Sequence, residues 1–232
     1  MSYKLNRFSL VISVICALLF IGGAISLVFV KDNAAQSRIA FQMFETALMM
    51  FLILVPRTMK KVAHIKIPKL MDIMFVTFCF CTLILGDVVD FYSRFEWWDA
   101  LQHGITGVLL GVLGYIIINT FNSVNGNTIR YSPSFVSIWV VCFALATGAL
   151  WEIMEYITDG LFGLNSQQFL TTGGTFDASE PLVGREALKD TMEDLILDFL
   201  GSTTIAIIGF FEMRKQKKGI ADLYLEIDDK DE

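Results

Sequence analysis

From Phe8 to Val30 the chain runs without a single charged side chain, and a stretch of that length crosses the hydrocarbon core of a bilayer as one helix of about 20 residues. Further apolar stretches follow at about 39–55, 70–85, 99–118, 133–156 and 190–211. In lipid every backbone polar group needs an internal partner, so such segments can only be helices. The expected fold is therefore all-α: a polytopic membrane helix bundle of about six transmembrane helices. It forms a single domain over residues 1–212, with an outer loop at about 158–189 and a charged cytoplasmic tail at 213–232. A composition of 54% hydrophobic and 18% charged residues fits a lipid-facing exterior, and a net charge of -6 gives no reason to expect nucleic acid as a partner.

The polar connections set the orientation. With both termini in the cytoplasm, thirteen of the 18 basic residues fall inside, including Arg57, Lys60, Lys61, Lys66 and Lys69 after the second span and Arg214, Lys215, Lys217 and Lys218 after the sixth. Lys31, Arg38, Arg94, Arg185 and Lys189 fall outside. Basic loops are retained in the cytoplasm, which supports an even number of spans with both ends inside. Cys16, Cys79, Cys81 and Cys142 all lie in apolar stretches, where a thiol behaves as a small buried hydrophobe, and neither a disulfide framework nor a zinc site is expected of them.

The costliest residues for such a chain are charges inside its spans, and these point to a site. Asp99 and His103 open the fourth span, Glu152 and Glu155 lie near the end of the fifth, and Asp190, Asp194 and Asp198 descend the sixth. Steps of three or four put each set on one side of its helix. Small residues continue the same faces (Gly107, Gly111, Gly114, Ala144, Gly148, Gly201, Ser202), and small residues let membrane helices approach closely. The acids are therefore expected to face one another near the outer surface. Individually, Asp99 and Asp190 also suit helix N-caps, Glu155 could reach the headgroups, and Glu45, Asp87 and Asp90 could join the rim.

Two carboxylates about 5 Å apart repel by roughly 3 kcal/mol at an effective dielectric of 20. Such a group needs compensation from bound cations, from retained protons or from His103 as imidazolium. Carboxylates with one histidine suit a divalent metal ion such as Mg, Mn, Ca, Fe or Zn, although Asp-x-x-x-His is not the Glu-x-x-His spacing of four-helix di-iron sites.

Three blocks, FEWWDALQHGITG, ALWEIMEYITDGLFGLNSQ and LKDTMEDLILDFLGS, resemble the YjdF-like family of bacterial multi-pass membrane proteins, within the broader VanZ-like group. The resemblance covers about Phe95 to Ser202. It implies a bacterial cytoplasmic membrane location and a functional pattern falling on Asp99, His103, Glu152, Glu155, Asp190, Asp194, Asp198 and Gly201, with an Asn-x-Gln block on Asn165 and Gln167. Glu193 departs from the aromatic residue the pattern would have there. VanZ-like proteins are associated with low-level resistance to glycopeptide antibiotics of the teicoplanin type.

Three functions compete at this stage. The first is an enzyme acting at the outer leaflet on a lipid-linked phosphate or envelope precursor, with His103 or Glu155 moving the proton and the other acids holding metal. The second is a binder or transporter for a cation or a ligand's ammonium group, although the acids thin out after Asp198. The third is a structural role, with the carboxyl groups only joining helices.

Overall fold

The computed structural model describes residues 7–62, 65–66, 69–124, 131–162, 165–171, 180–223 and 225–227. Lys4, Arg130, Lys230, the loop glycines Gly163, Gly173 and Gly174, and the acidic end from Asp228 lie outside the described residues. Six helices are long and apolar enough to cross a membrane: Arg7–Phe29, Ala35–Met59, Met71–Val88, Trp98–Ser123, Pro133–Leu161 and Glu186–Lys215. The protein is thus an all-α, multi-pass membrane protein. By its internal packing the chain divides into two compact units, residues 1–94 with 226–232, and residues 95–225.

In the first unit, α1 (Arg7–Phe29) buries only Ser9, Ile12 and Cys16. Leu10, Val14 and Leu18 are exposed, as lipid-facing side chains should be. Asp32 caps α2 (Asn33–Leu52) by accepting from the Ala35 amide at 2.8 Å. The expected end of this span at Pro56 is instead a short break at Ile53–Leu54, after which α3 (Val55–Val62) continues with Pro56 in its first turn. A proline is tolerated there because no partner is needed for the missing N–H.

The third span also runs further than its hydropathy suggests. α4 (Lys69–Cys79) passes into a π-helical segment, Phe80–Val88, in which the wider turn is visible as the Val89 amide donating to the Ile84 carbonyl at 2.8 Å. Asp87 therefore belongs to a helix and not to the connection. The short α5 (Phe91–Arg94) follows. Arg38 pairs with Asp90 at 3.4 Å, and Glu45 is buried beside Asp87, inside this unit's own packing. A two-residue antiparallel pairing joins β1 (Ile65–Lys66) to β2 (Glu226–Ile227).

The second unit is built on α6 (Trp98–Val124), α7 (Pro133–Phe162) and α8 (Lys189–Lys215). The small residues read from the sequence sit where the helices touch. A Cβ on Gly107 would lie 2.8 Å from the Asp198 Cα, and one on Gly201 would lie 2.8 Å from the Gly104 carbonyl oxygen and 2.9 Å from the Val108 nitrogen. Deeper in the unit, the Tyr115 hydroxyl and the Ser137 hydroxyl both donate to the Ala206 carbonyl at 3.2 Å, tying all three helices together. Asn119 donates to the carbonyls of Ala221 (2.7 Å) and Leu223 (3.0 Å). The chain beyond Ile220, part of the expected charged tail, is thus packed as far as these residues.

Candidate functional site

Every sequence-predicted acid of spans four to six lies at one end of the second unit, because α6 enters there, α7 leaves there and α8 enters there. Asp99 and Asp190 are in the first turns of α6 and α8, but neither is a helix cap. α6 begins at Trp98, and Leu188 occupies the cap position of α8, so both carboxylates lie two residues past the cap position. They are turned towards the cluster instead.

His103 is the centre of that cluster. Its Nε2 lies 3.9 Å from Asp99 Oδ1, 3.9 Å from Glu152 Oε1 and 3.9 Å from Asp194 Oδ2, one carboxylate from each of the three helices. On the other side of the ring, Nδ1 faces Asp198 Oδ2 at 3.5 Å. In the tautomer with its proton on Nδ1, the ring donates that proton to Asp198 and turns the Nε2 lone pair towards the three carboxylates. A carboxylate behind a histidine in this way fixes the tautomer and ring orientation of metal-bound histidines.

Asp198 is held rigidly for that task. It is fully buried, its side chain packs against Gly148 so closely that a Cβ there would strike Oδ2, and its own carbonyl accepts from the Ser202 hydroxyl at 2.7 Å. The glycines of α6 and α7 are thus what admits Asp198 to the back of the imidazole.

The remaining acids divide. Glu155 accepts a hydrogen bond from Trp151 Nε1 at 2.8 Å and is not among the carboxylates within 4.0 Å of His103. Asp190 lies close enough to Asp99 and Glu152 to interact with both electrostatically, and its Oδ2 is buried without a hydrogen-bond partner. Glu193 points outward and pairs with Lys189 at 3.9 Å, so the sequence departure at that position adds no side chain to the group around His103.

A segment after α7 roofs the site, and the sequence signals it only in part. α7 extends to Phe162, beyond the expected boundary at 156, which turns Asp159 from a loop residue into a buried helical one. Its carboxylate accepts from the amides of Ser166 (2.8 Å) and Gln167 (3.0 Å), folding the chain back over the helix end. Buried Asn165 accepts from the Leu170 amide at 3.0 Å, and Gln167 donates to the Thr191 hydroxyl at 3.0 Å. Gln168 donates to Asp99 Oδ2 at 2.8 Å. It does so from a left-handed backbone conformation, φ 46°, which is unfavourable for a side chain of this kind and marks a position held by its surroundings. Asp159, Gln168 and Thr191 carried no sequence signal of their own.

What the arrangement lacks is equally informative. Glu152 Oε1 and Oε2, Asp190 Oδ2, Asp194 Oδ2 and Asp198 Oδ1 are buried and make no hydrogen bond. Gln167 and Thr191 neighbour Glu152 and bond to each other, with the Thr191 hydroxyl accepting and so keeping its own proton. Buried polar atoms in native proteins have partners, so these oxygens, of which Glu152 Oε1 and Asp194 Oδ2 face His103 Nε2, call for one. Two ligand atoms on one ion, each bonded at about 2.0–2.2 Å, lie about 3–4 Å apart, the separation found around Nε2. Asp99, His103 and Asp194 each offer a ligand atom within 4.8 Å of the others. The residues present fit a divalent cation.

Fold and site together define a multi-pass membrane protein with a buried histidine-carboxylate cluster at one end of three packed helices. The family described as predicted membrane protein, DUF2238, matches residues 8–215, and the chain belongs to it. A protein of Thermotoga maritima named as uncharacterized is 26% identical over 156 residues, covering 66% of this chain and 68% of the relative. No solved structure matches the chain significantly.

Proposed function

We propose that this protein is a metal-dependent enzyme of the bacterial cytoplasmic membrane that acts on a lipid-linked phosphate at the outer surface. The single observation that carries the reading is the set of three carboxylates, from three helices, at 3.9 Å from one imidazole nitrogen, with no lysine or arginine paired to them among the described residues. His103, Asp99, Glu152 and Asp194 hold the ion, and Asp198 orients His103. A bound divalent ion supplies charge neutralisation and polarisation of a phosphoryl oxygen. Glu155, held by Trp151 outside the ligand set, is the residue free to take a proton from water.

The outward direction rests on the distribution of basic residues, with both termini cytoplasmic and residues 1–212 forming one membrane domain. The resemblance to YjdF-like and, more widely, VanZ-like proteins favours a substrate belonging to the cell envelope. A through-path is disfavoured, because no acid follows fully buried Asp198 on α8 until Glu212 in its last turn, and the helices close tightly at Gly107 and Gly201.

The test is phosphate release from a polyprenyl diphosphate in detergent micelles with Mn2+ or Mg2+. The expected result is turnover that falls by at least about 100-fold in Glu155→Gln while bound metal is unchanged. Turnover unaffected by Glu155→Gln and by chelation would contradict the proposal.

Gln168→Ala should lower metal affinity by about 10-fold or more, the usual cost of removing an outer partner of a ligating carboxylate. Competition with a chelating dye measures this directly.

A further inference from the structure

We propose that α3, at the end of the second span, is a surface helix that binds the phosphate groups of anionic phospholipids through Arg57 and Lys61. The inference is independent of the metal reading.

Position carries the first step. The spans Ala35–Met59 and Met71–Val88 are consecutive and joined through the end of α3 and β1, so this connection lies at one membrane surface, at the level of the headgroups. With both termini cytoplasmic, that surface is the inner one. Phe51 and Leu54 are exposed as lipid-facing side chains, and Arg57 follows within one helical turn of Leu54.

Charge carries the second. Residues 46–71 include Arg57, Lys60, Lys61, Lys66 and Lys69 and not one aspartate or glutamate. The acids that border this stretch, Glu45 and Asp72, are both buried. Arg57 and Lys61 are exposed and form no ion pair among the described residues, where lysine and arginine pair as Arg38 with Asp90 and Lys189 with Glu193. The cations at the end of α8 differ in this respect: Arg214 lies over the Phe210 ring at 5.7 Å and Lys215 over the Phe211 ring at 6.0 Å, so each has an aromatic partner on its own helix.

The faces of α3 carry the third. Arg57 and Lys61, four apart, stand on one side of the helix, and Val55, Met59 and Val62 stand on the other. Val62 is 72% exposed, an apolar side chain that acyl chains would cover when the helix lies in the bilayer surface. A guanidinium presents paired donors that match a phosphate, and the ammonium one turn away adds a second positive charge beside it. Basic clusters next to a membrane span are attracted to anionic lipid in this way.

The acidic end of the chain is the competing occupant, since β2 pairs with β1 and sets Glu226 opposite Lys66. That pairing engages the strand and leaves Arg57 and Lys61 exposed.

The full-length chain in detergent micelles, titrated with phosphatidylglycerol or with phosphatidylcholine and read by native mass spectrometry, tests this. The expected result is tighter binding of phosphatidylglycerol, weakened about 30-fold in Arg57→Gln/Lys61→Gln, because each cation near an anionic surface contributes about fivefold. Each single variant should lose about fivefold and serves where the double variant fails to fold. Arg214→Gln/Lys215→Gln should leave the binding unchanged. Equal binding of the two lipids by the wild type, a phosphatidylglycerol preference kept in Arg57→Gln/Lys61→Gln, or an equal loss in Arg214→Gln/Lys215→Gln overturns the inference. So does a preference that emerges only in a chain ending at Ile227, which would assign α3 to the acidic end instead.

Discussion

His103→Ala is expected to abolish stabilisation of the protein by divalent metal. A ligand that binds only the folded state stabilises it by about 2.7 kcal/mol at a hundredfold excess over Kd. In the wild type, melting in detergent should therefore shift upward on addition of Mn2+. Without the imidazole the ion loses the one ligand on which the Asp99, Glu152 and Asp194 contacts converge. Asp198 also loses the only hydrogen-bond donor that its side chain faces among the described residues. Losing the outer carboxylate alone would weaken binding by about 10–100-fold, and losing the histidine as well should exceed that. The metal-dependent shift should vanish, and the apo variant should also melt lower than the apo wild type, because buried carboxylates then face one another with no imidazole between them. An undiminished shift in His103→Ala would place the ion elsewhere.

The second large effect is expected at a residue with no functional group. Gly107→Ala puts a Cβ 2.8 Å from the Cα of Asp198 and 3.0 Å from its carbonyl carbon, and backbone atoms cannot swing aside. α6 and α8 must separate, at a cost of about 1–3 kcal/mol for overpacking. The same separation moves His103 away from Asp194 and Asp198, so metal affinity should fall with stability. Gly104→Ala is the control on the same helix, since a Cβ there meets nothing within 4 Å. It should be close to neutral, or slightly stabilising through its better helix propensity. Thermal melting with and without Mn2+ distinguishes the two. Equal behaviour of the two variants would mean that the close approach of α6 to α8 is not what builds the site.

Much of this was legible in the sequence, for a physical reason. Lipid removes every backbone option but the helix, so six apolar stretches become six helices, and a charge in one of them must be accounted for. Spacing then put Asp190, Asp194 and Asp198 on one face. It could not say that Asp194 would meet Nε2 and Asp198 would meet Nδ1, because that depends on how far α8 is displaced along α6, which Gly107 and Gly201 set by direct contact. The roof was legible only as a loop. Asp159 reads as a turn residue beside Gly160, and only the helix running on to Phe162 makes it an acceptor for the Ser166 and Gln167 amides. Gln168 was invisible because its role comes from a left-handed backbone angle that no residue type at that position announces. Glu45 carries a charge inside a span as the cluster acids do, and it is buried beside Asp87 within the first unit.

The central claim is that three helices converge to build a divalent-metal centre on His103. An anomalous difference map from crystals of the protein grown with Mn2+, collected at the manganese edge, tests it most directly. The prediction is a peak bonded to His103 Nε2 and to oxygens of Asp99, Glu152 and Asp194, with Asp198 behind the imidazole at Nδ1. A map with no peak there, in which the same carboxyl groups are bonded to one another or to water, would contradict it.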